Sequence, residues 1–422
     1  MKRIVTLAVL LEVMGVFPAL AQGGPADGSS LNSASPALIA FEILLYGVFA
    51  CIAFRENRKM LRVAGVAWPF ILIGLAALCS TAWSLDPSTT LRRAAVILGT
   101  TIIGIYCGAS YSIAEFQRLL IKGILIMVAA SAVIYLFRPE LVIDPNHGGS
   151  FQGLTGAKNY FAEYMVLLVI LALTCDTLPK PRVSRLAICL LGIVLLMGAH
   201  SATALLSLVP VVLLMLPALI FLRRAPGLAI PMLAVILTLA VVIGSVAAPA
   251  MGSLTAAMGS LTAAVDRDST LTGRSNVWAV AWQAIERRPA LGYGFDAFWE
   301  SKQGGLQYES ELGWAVPHSH DGYLEMLLGL GVCGMVLLAL AIGRTSKDAL
   351  IYYWRSRGIP SLWPVAFVVA LLLHAITEAD LVARHGLSYL VLIVLSIQLA
   401  LCRRTIHQEV VSTNAVASRA AI

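Results

Sequence analysis

Three side chains in one polar region of the chain are suited to anion or acid–base chemistry: Arg274, His318 and His320. Arg274 falls in LTGRSNVWAVAWQAIERRP, where Val277, Trp278, Ala281, Ala284 and Ile285 recur at helical spacing. That pattern predicts a short amphipathic helix with Thr272 as N-cap, stopped by Pro289, its apolar face carrying Trp278 and Trp282 toward lipid or a transmembrane bundle. A cation in the first turn opposes the helix macrodipole at a cost of about 0.3–1 kcal/mol, so helix stability does not account for Arg274. Free backbone N–H groups beside a guanidinium fork suit phosphate. The plainer alternative is an exposed ion pair with Asp266 or Asp268.

His318 and His320 stand just before an apolar run that opens near Asp321. The positive end of a long helix disfavours an imidazolium, and a neutral imidazole can accept a proton from a hydroxyl. The competing reading makes Ser319 or Asp321 a helix cap and the histidines interfacial filler. HSH lacks the i, i+4 spacing of a helical zinc pair, so no metal site is expected. Arg92 and Arg93, after WSLDPSTTL, are either interfacial arginines or a second anion-binding element. Glu378, in HAITEADLVARHG, is expected to pair with Arg384, because a carboxylate at a span end is costly unless solvated or paired. Glu12 and Glu42 lie in apolar runs without a basic relay partner.

These residues must be positioned by membrane helices. The 422-residue chain is 59% hydrophobic and 13% charged, outside the soluble globular balance. Apolar runs long enough to cross about 30 Å of hydrocarbon fall at 4–21, 36–54, 63–84, 94–112, 119–137, 159–178, 186–200, 202–222, 227–249, 321–343, 361–377 and 385–402. The fold expected is an all-α polytopic membrane protein with eleven or twelve spans. The count depends on residues 1–21, whose basic start, apolar middle and Ala19–Ala21 ending read as a cleavable signal peptide or as the first span. The net charge of +7 is explained by cytoplasmic loops rather than by nucleic acid, since Lys and Arg favour one side about two to one. The organisation is then 22–249 N-terminal spans, 250–320 a long external loop holding the amphipathic helix, 321–402 C-terminal spans and 403–422 a cytoplasmic tail. The tandem MGSLTAA at 251–264 carries no chemistry, and the seven cysteines, without CxxC spacing, read as small hydrophobes.

The order WSLDPSTTLRRA, GLTGAKNYFAEYM, AHSATALL, LTGRSNVW with RRPALGYGFDAFW, HSHDGYLEMLLGLGVCG and TEADLVARHG resembles the O-antigen ligase/polymerase family of bacterial envelope glycosyltransferases, nearest its ExoQ-type exopolysaccharide polymerases. The resemblance implies a GT-C-like, metal-independent enzyme without cofactors in the bacterial inner membrane, with its active site facing the periplasm. Its donor would be an undecaprenyl-pyrophosphate-linked glycan and its acceptor a glycan or lipid, with a flippase and a chain-length regulator as partners. His320, followed by Asp321 and then by Gly331 and Gly334, inherits activation of the acceptor hydroxyl. Arg274 inherits the hold on the pyrophosphate, for which Arg92, Arg93 and Lys158 are further contacts; His318, Asp321, Asn159 and Glu378 are supporting residues. Ser201 is followed by Ala202 where the ligases commonly carry arginine, which favours polymerase over ligase to lipid A-core. A polysaccharide transporter is the alternative from another class.

Overall fold

Inside hydrocarbon every backbone N–H and C=O must find a partner within the chain, and a continuous apolar run meets that demand as a helix. The computed structural model describes residues 1–22, 36–145, 148–175, 182–222, 271–314, 316–356, 358–379, 381–382 and 386–420. The expected span at 227–249, the MGSLTAA repeat, Asp266, Asp268 and Arg384 lie outside them. The helices are α1 (Lys2–Val13), α2 (Val16–Gln22), α3 (Pro36–Arg55), α4 (Asn57–Cys79), α5 (Pro87–Ser110), α6 (Ile113–Phe137) and α7 (Lys158–Thr174). They continue with α8 (Arg182–Gly198), α9 (Ala202–Val209), α10 (Leu216–Leu222), α11 (Leu271–Arg287), α12 (Gly322–Arg355), α13 (Trp363–His374) and α14 (Leu387–Ala420). A two-residue antiparallel pairing, Ile143 with Phe151 and Asp144 with Ser150, closes the connection between α6 and α7.

Among the described residues, seven helices are long and apolar enough to cross a membrane, counting α9 and α10 with the π-helical turn Pro210–Met215 between them as one, which makes the chain an all-α polytopic membrane protein. The other expected spans among these residues are shorter or broken. The first apolar run is split by Gly15, whose φ of 83° ends α1 before α2 begins. Val183–Gly198 and Ile359–His374 are apolar but short. α1 lies within the bundle, with Val9, Leu10 and Val13 buried. Close approach elsewhere rests on missing side chains: a Cβ on Gly104 would meet Ile393 Cγ2 at 2.8 Å, and one on Gly108 would meet Ile397 Cβ at 2.8 Å. Glu12, in α1, is buried at 2% exposure.

Helix direction separates two ends of the bundle. At one end Lys2 and Lys59 both meet Glu56, Arg3 meets Glu115, and Arg403 meets Asp348. At the other end stand the starts of α5, α7, α9 and α12 and the end of α13.

The run expected to be an unbroken span at 321–343 is opened at Gly331, where φ is 63° and ψ is −161°. The segment after α11 fills the gap. Tyr293 N–H donates to Leu328 O at 2.8 Å and Gly294 N–H to Gly329 O at 3.1 Å, while Val332 N–H reaches Pro289 O at 2.8 Å and Cys333 N–H reaches Ala290 O at 3.2 Å. The backbone groups freed by the break are thereby satisfied inside the protein. A Cβ on Gly331 would lie 2.3 Å from Ala290 O, against backbone that cannot yield. Gly331→Ala is therefore expected to undock this segment. The left-handed backbone alone costs about 1–3 kcal/mol for a non-glycine residue, so a lower unfolding midpoint and protease cleavage between Arg288 and Lys302 should follow. An unchanged midpoint and cleavage pattern would contradict the docking.

Candidate active site

The site is assembled from helix ends. α11 is held by its apolar face: Val277, Val280, Ala281, Ala284 and Ile285 form a satellite core with Tyr293, Phe298, Trp299, Val316 and Leu328. Trp278 is half-buried and donates Nε1–H to Ser319 O at 2.9 Å, tying α11 to the histidine segment. Trp282 does not share this packed face and is 53% exposed. At roughly 100° per residue it sits too far round from Ala281. The helix begins at Leu271, so Thr272 lies inside its first turn rather than at the cap.

One turn before Trp278, Arg274 turns toward the end of α13. It donates Nη1–H to Thr377 O at 2.5 Å and Nη2–H to Glu378 Oε1 at 3.0 Å. Glu378 Oε1 also accepts from Asn159 Nδ2 at 2.6 Å, and Asn159 Oδ1 accepts from Ser201 Oγ at 3.0 Å. The other carboxylate oxygen, Oε2, faces His320 Nδ1 at 3.7 Å, an electrostatic contact beyond hydrogen-bond length. Glu378, whose side chain is 4% exposed, thus gathers Arg274, Asn159 and His320 around one carboxylate. Burial by itself would raise the Glu378 carboxyl. His320 and the Arg274 charge outweigh it and hold the group below the ordinary carboxylate value.

His320 adopts a left-handed backbone, φ 52°, which non-glycine residues take only when their surroundings enforce it. The enforcement is visible. Ser319 N–H donates to Glu325 Oε2 at 2.9 Å, Ser319 Oγ–H donates to Asp321 O at 2.8 Å, and His320 N–H donates to His318 Nδ1 at 3.2 Å. The two imidazole rings lie 4.2 Å apart. Asp321 caps α12, accepting from Tyr323 N–H at 2.8 Å and Leu324 N–H at 2.9 Å. Burial pushes its carboxyl up, against the pull of those two backbone bonds.

Of the residues singled out in the sequence, Arg274, His320, His318, Asp321, Asn159 and Glu378 are brought together, and Lys158 opens α7 beside Asn159. Glu378 takes Arg274 as its partner, 104 residues away, where the sequence pointed to nearby Arg384. Arg93 does not join this cluster. It is 5% exposed and its guanidinium is committed to Asp296, at 3.2 Å, and to Glu300, so its role is to anchor the long loop rather than to meet a phosphate. Arg92 donates to Thr89 Oγ1 at 3.2 Å. The rest of the WSLDPSTTLRR motif, with Ser80 just before it, receives the same loop: Trp83 Nε1–H reaches Leu291 O at 3.1 Å, Leu85 N–H reaches Tyr293 O at 3.0 Å, and Ser80 Oγ accepts from Phe295 N–H at 3.0 Å. Sequence reasoning missed Ser201 and Glu325. The signal for Ser201 was its place as N-cap of α9, and Glu325 offered only a carboxylate in the first turn of a span.

Fold and site together define a polytopic membrane protein with a His–Glu–Arg cluster at one end of its bundle, where a short amphipathic helix meets the ends of four others. Residues 187–339, which include Arg274 and His320, match the family model described as O-antigen ligase. Across 341 residues the chain is 26% identical to the exopolysaccharide production protein ExoQ of Rhizobium meliloti (strain 1021), covering 78% of this chain and 75% of that protein. These similarities support an O-antigen ligase/ExoQ-type family for the chain, and with it a membrane enzyme of the O-antigen ligase/polymerase type.

Proposed function

We propose that the protein polymerises undecaprenyl-pyrophosphate-linked oligosaccharide repeat units into a surface or secreted polysaccharide, at the periplasmic face of the inner membrane. The observation that carries the reading is the convergence of Arg274 and His320, 46 positions apart in sequence, on one buried carboxylate at the bundle end opposite the basic residues Lys2, Arg3, Lys59 and Arg403. Basic residues favour the cytoplasmic side, which supports an external position for the cluster.

In the reaction, an acceptor hydroxyl oxygen bonds to the anomeric carbon of the donor as the bond from that carbon to the pyrophosphate oxygen breaks. Undecaprenyl pyrophosphate leaves with inversion. His320 takes the hydroxyl proton: Nδ1 faces Glu378, which favours the Nδ1–H tautomer and leaves the lone pair on Nε2. Arg274 offsets the charge that develops on the leaving pyrophosphate. Glu378, Asn159 and Ser201 position these two groups, and His318 and Asp321 fix the turn that presents His320. Lys158, beside Asn159, and Arg92 are additional contacts for the pyrophosphate. The acceptor is a glycan or lipid hydroxyl, and a flippase and a chain-length regulator are the expected partners.

A ligase reading shares this chemistry and is favoured by the description of the family matched over 187–339. The absence of arginine after Ser201, which is followed by Ala202, favours the polymerase. Glycan analysis of a strain lacking the protein separates them. Single repeat units are expected; long chains stranded on undecaprenyl pyrophosphate would establish ligation instead, and normal polymer with failed export would point to a transporter.

A further inference from the structure

At the end of the bundle opposite His320, a cavity of about 250 Å³ is lined by Arg344, Lys347, Asp348 and Arg403. We infer that it binds the phosphate of an anionic bilayer phospholipid.

Three cations face one carboxylate there. Asp348 is satisfied by Arg403 at 2.9 Å, which leaves the positive charge of Arg344 and Lys347 uncompensated by any ion pair among the described residues. Of the other cations of this end, Lys2 and Lys59 pair with Glu56 and Arg3 with Glu115, whereas Arg118 and Lys122 are exposed and do not line this cavity. Arg344 is also held in place, its guanidinium 5.7 Å from the centre of the half-buried Trp68 ring.

Depth selects the ligand. Arg344 lies 22 residues beyond Gly322, which over the two parts of α12 on either side of Gly331 is on the order of 30 Å at 1.5 Å per residue, comparable with the hydrocarbon thickness of about 30 Å. Lys347 and Asp348 follow within one turn, and Arg403 falls at the end of the apolar part of α14. The cavity therefore opens between α12 and α14 at the level of lipid headgroups, where a phosphodiester is the abundant anion and a basic interhelical pocket recognises it. Its volume is below the roughly 300–1,000 Å³ of sites that enclose a whole small-molecule ligand, and suits a headgroup whose tails remain in the bilayer.

The test is thermal unfolding of the full chain in neutral detergent micelles, titrated with dioleoylphosphatidylglycerol, dioleoylphosphatidylcholine or inorganic phosphate. Phosphatidylglycerol is expected to raise the unfolding midpoint of the wild type and of the Arg118→Gln/Lys122→Gln control, which removes two exposed cations from the same end. It should not raise that of Arg344→Gln/Lys347→Gln, and phosphatidylcholine should raise none. Lys347→Gln alone, an exposed single change that keeps the test usable if the double variant fails to fold, should need about fivefold more phosphatidylglycerol for the same shift. Equal shifts in wild type and Lys347→Gln, or no shift in the wild type, would overturn the assignment. A shift reproduced by inorganic phosphate alone would replace the lipid by a soluble anion.

Discussion

His320→Ala is expected to abolish polymer while the protein still inserts and folds. A positioned general base contributes about 100- to 10,000-fold to a rate, and a polymerisation repeated at every unit compounds such a loss into the absence of long chains. The variant should fold, because the contacts that shape the turn are made by its neighbours: Ser319 to Glu325, Asp321 to the first turn of α12, and Trp278 to Ser319 O. Removal of the side chain forfeits the contact of Nδ1 with Glu378, at 3.7 Å. His318→Ala deletes the acceptor of His320 N–H and loosens the turn, so a smaller loss with shorter chains is expected. Gel electrophoresis of the polysaccharide from a complemented deletion strain, with immunoblotting of membranes for the variant, measures both. Near-normal chain length from His320→Ala would sink the proposed role of this imidazole.

The bundle was legible because hydropathy over a window of one span reports directly on whether backbone can lie in lipid. The ends of the site were legible for a different reason: Arg274 sits where a helix dipole disfavours a cation, and His320 stands at the edge of an apolar run. What the sequence could not give was distance across the fold. Nothing near Arg93 points to Asp296 and Glu300, more than 200 positions away, and an arginine on a loop reads equally well as an anion site until its carboxylates are seen. The break at Gly331 was hidden because GLGVCG remains apolar throughout. Hydropathy records the cost of burying side chains, whereas the break depends on a backbone partner supplied by Pro289 to Gly294.

Glu378 was visible as a costly carboxylate, and its replacement carries the second large expected effect. Glu378→Ala leaves Arg274 with the Thr377 carbonyl and removes the acceptor of Asn159 Nδ2. Breaking a buried ion pair from one side costs about 3–5 kcal/mol; the 23% exposure of the Arg274 side chain lets water recover part of that, so the lower end is expected. Activity should fall with stability, since the same carboxylate orients both groups assigned to the reaction. Glu378→Gln keeps an oxygen for Arg274 and should lose less. The combination Glu378→Ala/Arg274→Ala should destabilise by less than the two single changes added, because each alone strands a partner. Acid gives an independent reading. The folded carboxyl titrates below its ordinary value of 4.5, so its contribution is present above that pH and is lost as pH falls below it toward the folded value. Unfolding midpoints of the wild type should therefore drop more steeply below pH 4.5 than those of Glu378→Ala. Parallel pH profiles, together with additive single and double variants, would show that Glu378 does not couple Arg274 to the rest of the site.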